Sequence, residues 1–283
     1  MPISCPPGSG GPSCSITRRT IPLYRHHNPF AHLELRPKQI TGWSLAHYYV
    51  YSKMVELSHA TVVVEVGSWR GLSACLLAHA LKQQQRGGVL FCADTWLGSI
   101  EFWNLTSTNG MPDLTRDMSL VNGAPTVYHT FMSNMVHAHV SAYIVPMPMT
   151  SSMAARLLDG VGVDLIHLDA AHEYDDVKQD LRLWLPRLNR CGVLLGDDYM
   201  EYWPGVVRAV DEFVQEHPEL DVARPALSLS VAAQVPLGTK WYARRRGCGS
   251  LPWRRTRERL LNASTTRGTN TPLMPHHVCH HKS

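Results

Sequence analysis

The chain has 283 residues, and its 44% hydrophobic and 18% charged content excludes an intrinsically disordered protein. No apolar run approaches the roughly 20 residues that cross a bilayer, so no membrane span is expected. The net charge of +4 is uneven, because nine basic residues and one acid lie from Arg244 to the end, against 18 basic and 22 acidic residues before it. The basic character belongs to this tail, which argues against a nucleic-acid-binding domain.

Composition divides the chain into three regions. Residues 1–36 are rich in Pro, Gly and Ser, show no apolar period, and predict a disordered N-terminal extension. Residues 37–243 alternate short apolar runs with helical patterns and form the predicted globular domain. Residues 244–283 are rich in Arg, Thr, Gly and His and predict a disordered basic tail.

Apolar periodicity in the middle region predicts helices that alternate with strands. The predicted helices are 40–57, 72–81, 127–136, 153–158, 173–188 and 206–214, and the predicted strands are 61–66, 89–94, 142–145, 163–168, 193–195, 227–235 and 239–244. Such alternation indicates right-handed βαβ units, so the predicted fold class is α/β, a doubly wound, Rossmann-like sheet of seven mostly parallel strands. No helix separates the last two strands, which predicts a closing hairpin with an antiparallel edge strand.

A glycine-bearing turn follows the first predicted strand and holds five candidate cofactor-binding residues: Glu65, Gly67, Ser68, Gly71 and Ser73. Such a turn lets a ligand approach the backbone, and the next helix offers unpaired N–H groups. The glycine spacing differs from GxGxxG, which counts against a dinucleotide pyrophosphate site. Asp94 ends the second strand, where a carboxylate can accept hydrogen bonds from ribose hydroxyls. Turn and acid together predict a nucleoside-containing ligand.

Three acids end two predicted strands: Asp169, Asp197 and Asp198. They would repel one another strongly unless a cation or raised pKa values relieved them. Hard oxygen ligands suit Mg²⁺ or another divalent cation, which would lower the pKa of a bound hydroxyl. His172 follows Asp169 by three residues and can return to the same site as a general base. The alternatives are an exposed turn or helix cap for the acid pair, and an ordinary first-turn position for the histidine.

Seven cysteines are scattered without a CxxC pair, which indicates a reducing compartment. Cys75, Cys92 and Cys191 lie in apolar segments, where a free cysteine behaves as a small buried hydrophobe. The N-terminus lacks the apolar stretch of a secretory signal, so we expect a cytoplasmic protein. Import into an organelle is the alternative, because the first 20 residues contain Arg but no acid. The sequons at Asn104 and Asn262 are then expected to be unused.

These segments together resemble the class I S-adenosylmethionine-dependent methyltransferases. Residues 65–73 resemble the first motif of that family, and Asp94 resembles its ribose-binding acid. Residues 163–174 and 190–199 resemble the branch that includes macrocin O-methyltransferase, related sugar O-methyltransferases and cephalosporin hydroxylase-like proteins. The resemblance extends over about residues 40–243, and neither end of the chain shares it.

The resemblance implies transfer of a methyl group from a sulfonium to a hydroxyl of a small acceptor, with a sugar or polyol favoured. In that branch, and similarly in catechol O-methyltransferase, Mg²⁺ is bound at the positions of Asp169, Asp197 and Asp198. His172 matches the proposed general base of the sugar enzymes, where catechol O-methyltransferase has lysine. Thr150 and Ser151 follow the third strand, where the family contacts the adenine end, although a helix N-cap explains Ser151 equally well.

Two other functions stay open at this point. One is a nicotinamide-dependent oxidoreductase on a similar sheet, and the other is a non-catalytic module that binds a nucleoside or RNA through the basic tail. The histidine-rich segment 276–281 and the arginine clusters of the tail are interpreted as solvated chain. The expected partner is a hydroxylated small molecule, with no membrane span and no nucleic acid, and a homo-oligomer is compatible with the sequence.

Overall fold

A computed structural model of the chain describes residues 23–24, 27–40, 48–103, 118–225 and 238–249. The helices are α1 (Tyr48–Leu57), α2 (Leu72–Gln84), α3 (Ile100–Trp103), α4 (Val127–His137), α5 (Ser151–Leu157), α6 (Tyr174–Trp184) and α7 (Pro204–Glu216). The strands are β1 (Val62–Val66), β2 (Val89–Asp94), β3 (Ile144–Pro148), β4 (Val163–Leu168), β5 (Leu188–Gly196), β6 (Leu220–Ala223) and β7 (Trp241–Arg245). Short 3-10 turns lie at Ser141–Tyr143 and Leu185–Arg187.

One seven-stranded sheet organises these elements, in the order β3-β2-β1-β4-β5-β7-β6. The first five strands of that order are parallel, and β7 is antiparallel to both β5 and β6. The strand order reverses between β1 and β4, which places a crevice beyond the carboxyl ends of these strands. The predicted fold class, with its antiparallel strands at one edge, is confirmed.

Strand β1 explains why helices cover both faces of the sheet. Its five residues are all buried, and successive side chains of a strand point to opposite faces. Val63 packs into the apolar cluster with α1, α2 and α4, whereas Val62, Val64 and Val66 pack into the cluster with α5, α6 and α7. Two separate apolar layers therefore enclose the strand, and the site lies where it ends.

Proline sets two helix boundaries near the site. The predicted helix 173–188 ends as an α-helix at Trp184, because Pro186 cannot donate the next hydrogen bond and forms part of a 3-10 turn instead. Helix α7 begins at Pro204, whose fixed φ suits the first helical position. Of the predicted helix 40–57, residues 41–47 lie outside the described residues.

The edge of the sheet differs from the predicted hairpin. Strand β6 is Leu220–Ala223, and it pairs with β7, which lies between it and β5. The predicted strand 227–235 lies outside the described residues. A Cβ on Gly196 would lie 2.3 Å from the Trp241 ring, so glycine is required where β7 packs on β5. The four-residue edge strand was missed because it is too short to show a clear alternation.

The cysteine predictions are partly wrong. Cys92 is buried and free, as predicted, whereas Cys75 is buried but disulfide-bonded, so the prediction of a free cysteine there is wrong. Cys191 is instead exposed and forms a disulfide with Cys248, 57 residues away, which ties the start of β5 to the residues after β7. The physical reason is that Asn189, Arg190 and Cys191 of β5 are exposed, and the continuously buried stretch of the strand begins only at Gly192. The expected reducing compartment was inferred from cysteines that were taken to be free, and the Cys191–Cys248 disulfide removes that support. No helix of the described residues is long and apolar enough to traverse a bilayer.

Candidate active site

The turn after β1 depends on two glycines with positive φ. Gly67 has φ 85°, and a Cβ there would lie 1.9 Å from the carbonyl oxygen of Asp169 at the end of β4. Gly71 has φ 87° and caps α2, and a Cβ there would lie 2.6 Å from the Met135 methyl group. Only glycine allows the chain to pass this close to its neighbours, so the turn exposes backbone and the start of α2 to the crevice.

Asp94 holds the other side of the same turn. Its Oδ2 accepts hydrogen bonds from the backbone N–H groups of Ser68 at 2.9 Å and Trp69 at 2.8 Å, and its Oδ1 accepts from Trp96 at 2.7 Å. Burial raises the pKa of Asp94, and these backbone donors oppose the rise. The predicted ribose-binding acid therefore also fixes the shape of the turn.

Three of the candidate cofactor-binding residues of the turn have buried side chains. Glu65 is fully buried, and its Oε2 accepts a hydrogen bond of 2.6 Å from the Ser68 hydroxyl. Ser73 is buried within α2. These buried side chains stabilise the turn from the protein interior. The groups of the turn that can contact a ligand are therefore backbone groups.

The two candidates after β3 have structural contacts. The Thr150 hydroxyl caps α5 by accepting from the Met153 N–H at 3.3 Å. The Ser151 hydroxyl donates to Asp180 and accepts from the Trp184 indole N–H at 2.9 Å. The structure thus brings Ser151 to α6, and the N-cap of α5 is Thr150, so the N-cap alternative for Ser151 is wrong.

Two of the three predicted metal ligands lie together with a histidine that the sequence analysis missed. Potential ligand atoms of His167, Asp169 and Asp197 all lie within 4.8 Å of one another. Burial, followed by the charge of Asp197, raises the pKa of Asp169 to about 7. His167 Nδ1 lies 3.3 Å from Glu65 Oε1, and His167 Nε2 has no partner among the described residues. A polar residue at an inward position of the apolar strand β4 was the available signal.

Asp197 has a buried cation beside it that the sequence analysis also missed. Its Oδ2 accepts from the ammonium of Lys240, and its Oδ1 accepts from the Thr239 hydroxyl and from the Asp198 N–H at 2.9 Å. The Lys240 side chain is 1% exposed. Burial would raise the pKa of Asp197, but the charge and hydrogen bond of Lys240 hold that pKa well below its ordinary value.

Asp198 is directed away from this cluster and towards His172. Its Oδ2 lies 3.0 Å from His172 Nε2, while Glu101 Oε1 lies 2.8 Å from Nδ1 on the opposite side of the ring. Trp203 stacks on the imidazole at 3.9 Å between ring centroids. Burial lowers the pKa of His172, but the hydrogen bonds to Asp198 and Glu101 outweigh it and raise the pKa to about 10. Carboxylates only accept, so both ring nitrogens donate and the ring is an imidazolium.

Comparison with known proteins supports the assignment of the chain to an α/β fold of the methyltransferase type. Residues 64–199 match a family model described as a methyltransferase domain. An uncharacterized protein of Sinorhizobium fredii is 27% identical over 199 residues, which cover 69% of this chain and 18% of that protein. This chain therefore spans less than a fifth of that relative.

Two solved structures share the fold at low sequence identity. A protein from Klebsiella pneumoniae named as an O-methyltransferase has a TM-score of 0.50 and 15% identity, over 82% of this chain and 96% of that chain. A protein from Staphylococcus aureus named as a caffeoyl-CoA O-methyltransferase has a TM-score of 0.50 and 11% identity, over 82% and 99% of the two chains. Together with the strand order, they show that this chain shares the fold of these two proteins, and residues 64–199 are similar to a methyltransferase domain.

Proposed function

We propose that the chain is an S-adenosylmethionine-dependent O-methyltransferase that acts on a hydroxyl group of a small molecule, with a sugar or polyol favoured as acceptor. The observation that carries the proposal is the placement of the Gly67–Gly71 turn and Asp94 beside Asp169 and His172. All of them lie at or just beyond the carboxyl ends of parallel strands, where open α/β sheets bind their ligands.

The cofactor would occupy the turn. The close approach allowed by Gly67 and Gly71 leaves backbone groups for the methionine part of the cofactor. Asp94 Oδ1 accepts one backbone hydrogen bond and keeps a lone pair for a ribose hydroxyl. The neighbouring acids favour a positively charged sulfonium over the neutral thioether that remains after transfer.

Methyl transfer requires a group that accepts the proton of the acceptor hydroxyl. The acceptor oxygen forms a bond to the methyl carbon while the carbon–sulfur bond breaks, and the electron pair goes to sulfur. We assign the acceptance of this proton to His172, and Asp169 is the second residue predicted to be catalytic. Before it can accept this proton, the imidazolium must release its Nε2 proton, to Asp198 or to solvent. The neutral ring then keeps its Nδ1–H donated to Glu101, and the acceptor hydroxyl replaces Asp198 at Nε2. The stacked Trp203 ring keeps the orientation of the His172 imidazole fixed during the proton transfer.

The cluster formed by Asp169, Asp197 and His167, called the acid cluster below, fits a divalent cation. Its fit rests on the proximity of Asp169, Asp197 and His167, on the unpartnered Nε2 of His167, and on the raised pKa of Asp169. Asp169, Asp197 and His167 would hold Mg²⁺ or a similar ion. Asp198, the third ligand predicted from the sequence, contacts His172 instead and would have to turn towards the ion to join them. Such an ion would lower the pKa of the acceptor hydroxyl when bound.

Calorimetry of S-adenosylmethionine with the full chain tests the cofactor site. We expect micromolar binding, and Asp94→Asn should weaken it about tenfold or more because the turn and the ribose contact both depend on this carboxylate. Asp159→Asn is the matched control, since that side chain is 80% exposed and removes one charge elsewhere. A folded protein that takes up no cofactor would contradict the proposal.

A second test concerns the metal and the acceptor. With a radiolabelled methyl donor and a panel of hydroxylated acceptors, we expect methylation that a chelator suppresses. Asp198→Ala should abolish this metal-dependent activity while largely sparing cofactor binding. Full activity of that variant in the presence of chelator would contradict the metal assignment.

A further inference from the structure

We propose that the ammonium group of Lys240 competes with a divalent cation for Asp197 and so keeps the metal affinity of the acid cluster low. Lys240 directly precedes β7, and its buried side chain reaches Asp197, the residue that follows the carboxyl end of β5. The inference rests on the proposed metal-assisted function only in treating the cluster as the metal site.

Both carboxylate oxygens of Asp197 already accept hydrogen bonds, which leaves few lone pairs for an added cation. Lys240 neutralises Oδ2, and two further donors, the Thr239 hydroxyl and the Asp198 N–H, occupy Oδ1. In the described part of the chain, no other Lys or Arg forms an ion pair with Asp169, Asp197 or Asp198. The positive charge at Asp197 is therefore supplied by the Lys240 side chain, whereas the His172 imidazolium pairs with Asp198.

Burial makes this ion pair persistent. Lys240 is 1% exposed and the Asp197 side chain 8% exposed, so neither group can exchange its partner for bulk water. The ammonium also lies 5.1 Å from the centroid of the Tyr51 ring, a favourable position for a cation. Separating a buried pair leaves an uncompensated charge, which is strongly unfavourable.

A divalent cation at Asp169 and Asp197 would consequently meet a fixed charge of the same sign. Two cations that share one carboxylate in a poorly solvated site repel each other strongly. Lys240 thus lowers metal affinity, although it keeps Asp197 ionised and oriented. A purely orienting role predicts the opposite result, because removal of the lysine would then weaken metal binding.

Mn²⁺ binding to the full chain, measured from the electron paramagnetic resonance signal of free Mn²⁺, separates the two roles. We expect Lys240→Met to bind Mn²⁺ about tenfold or more tightly than the unaltered chain. Lys240→Arg keeps the charge and should stay within about threefold of it. Lys178→Met is the matched control, because Lys178 pairs with Glu212 on the α6–α7 surface and should leave Mn²⁺ affinity unchanged.

Equal or weaker Mn²⁺ binding by Lys240→Met, with thermal melting that shows a folded protein, would overturn the inference. If that variant does not fold, Lys240→Gln retains a donor for Asp197 without the charge, and the same gain is expected of it. S-adenosylmethionine calorimetry on the unaltered chain is run in parallel. Its failure would contradict the proposed function, whereas an unchanged Mn²⁺ affinity contradicts only the role of Lys240.

Discussion

Glu101 Oε1 lies 2.8 Å from Nδ1 of His172, so that a side chain of the short helix α3 contacts the candidate base at the start of α6. With Asp198 on the other nitrogen, the imidazole lies between two carboxylates. This arrangement keeps the ring protonated in the absence of substrate. It also assigns Glu101 to hold one nitrogen of the ring when the other faces an acceptor.

Glu101→Gln should therefore lower the pKa of His172 from its value of about 10. An amide removes one of the two negative charges that stabilise the imidazolium. Because the folded pKa lies above the ordinary value of 6.5, these contacts stabilise the fold fully below pH 6.5, and the stabilisation is lost as the pH rises through about 10. NMR titration of labelled histidines, with His172→Asn to identify the signal, measures the change. Glu219→Gln, which neutralises a carboxylate beside His217, should leave the His172 signal unchanged.

Asp180→Asn should stabilise the fold at pH 8 and lose this advantage at pH 4. Burial raises the pKa of Asp180 to about 6, against the opposing hydrogen bond from Ser151. The folded state therefore binds this proton more tightly, and stability falls as the pH rises from about 4 to about 6. The cost of the buried charge is about 2–3 kcal/mol above that range. Urea unfolding at the two pH values measures it, and an equal effect of the substitution at both would contradict the assignment.

Gly67→Ala should abolish S-adenosylmethionine binding. The new methyl group would lie 1.9 Å from the Asp169 carbonyl oxygen, so the turn or the end of β4 must move. Gly160→Ala is the matched control, because Gly160 also has positive φ, 75°, but has nothing within 4 Å of the added Cβ. The control should lose about 1–2 kcal/mol of stability from its backbone alone and keep cofactor binding. Calorimetry and thermal melting of both variants distinguish the steric effect from the conformational one.

Cys248→Ser should lower the free energy of unfolding by about 2–4 kcal/mol, because the disulfide to Cys191 closes a long loop in the unfolded chain. Denaturant unfolding measures the loss, and non-reducing peptide mapping checks the bridge itself. The double variant Cys191→Ser/Cys248→Ser should match the single variant, since one bridge is removed in both. Additive losses would mean that the two cysteines act separately.

Several elements were predictable because their signals are local. A run of β-branched residues such as 62–66 is buried on both faces, and the glycine turn after it requires positive φ at Gly67 whatever surrounds it. Parallel strands end at the same edge of a sheet, so Asp169, Asp197 and Asp198 were predicted to lie near one another. The structure brings Asp169 and Asp197 together, whereas Asp198 contacts His172. The prediction was less successful where a strand is short, as at Leu220–Ala223, and where an apolar pattern begins late, as at Cys191.

By itself, then, the sequence determined the α/β class, the glycine turn and the acids at the strand ends, because backbone geometry and side-chain periodicity act over a few residues. The tertiary structure alone decided their partners. Glu101 meets His172 across 71 positions of the chain, and Lys240 meets Asp197 across 43. Which acid faces a histidine and which faces an ammonium depends on how strands and helices pack. Burial removes water as the alternative partner, and each buried charge then pairs with the group that the fold places beside it.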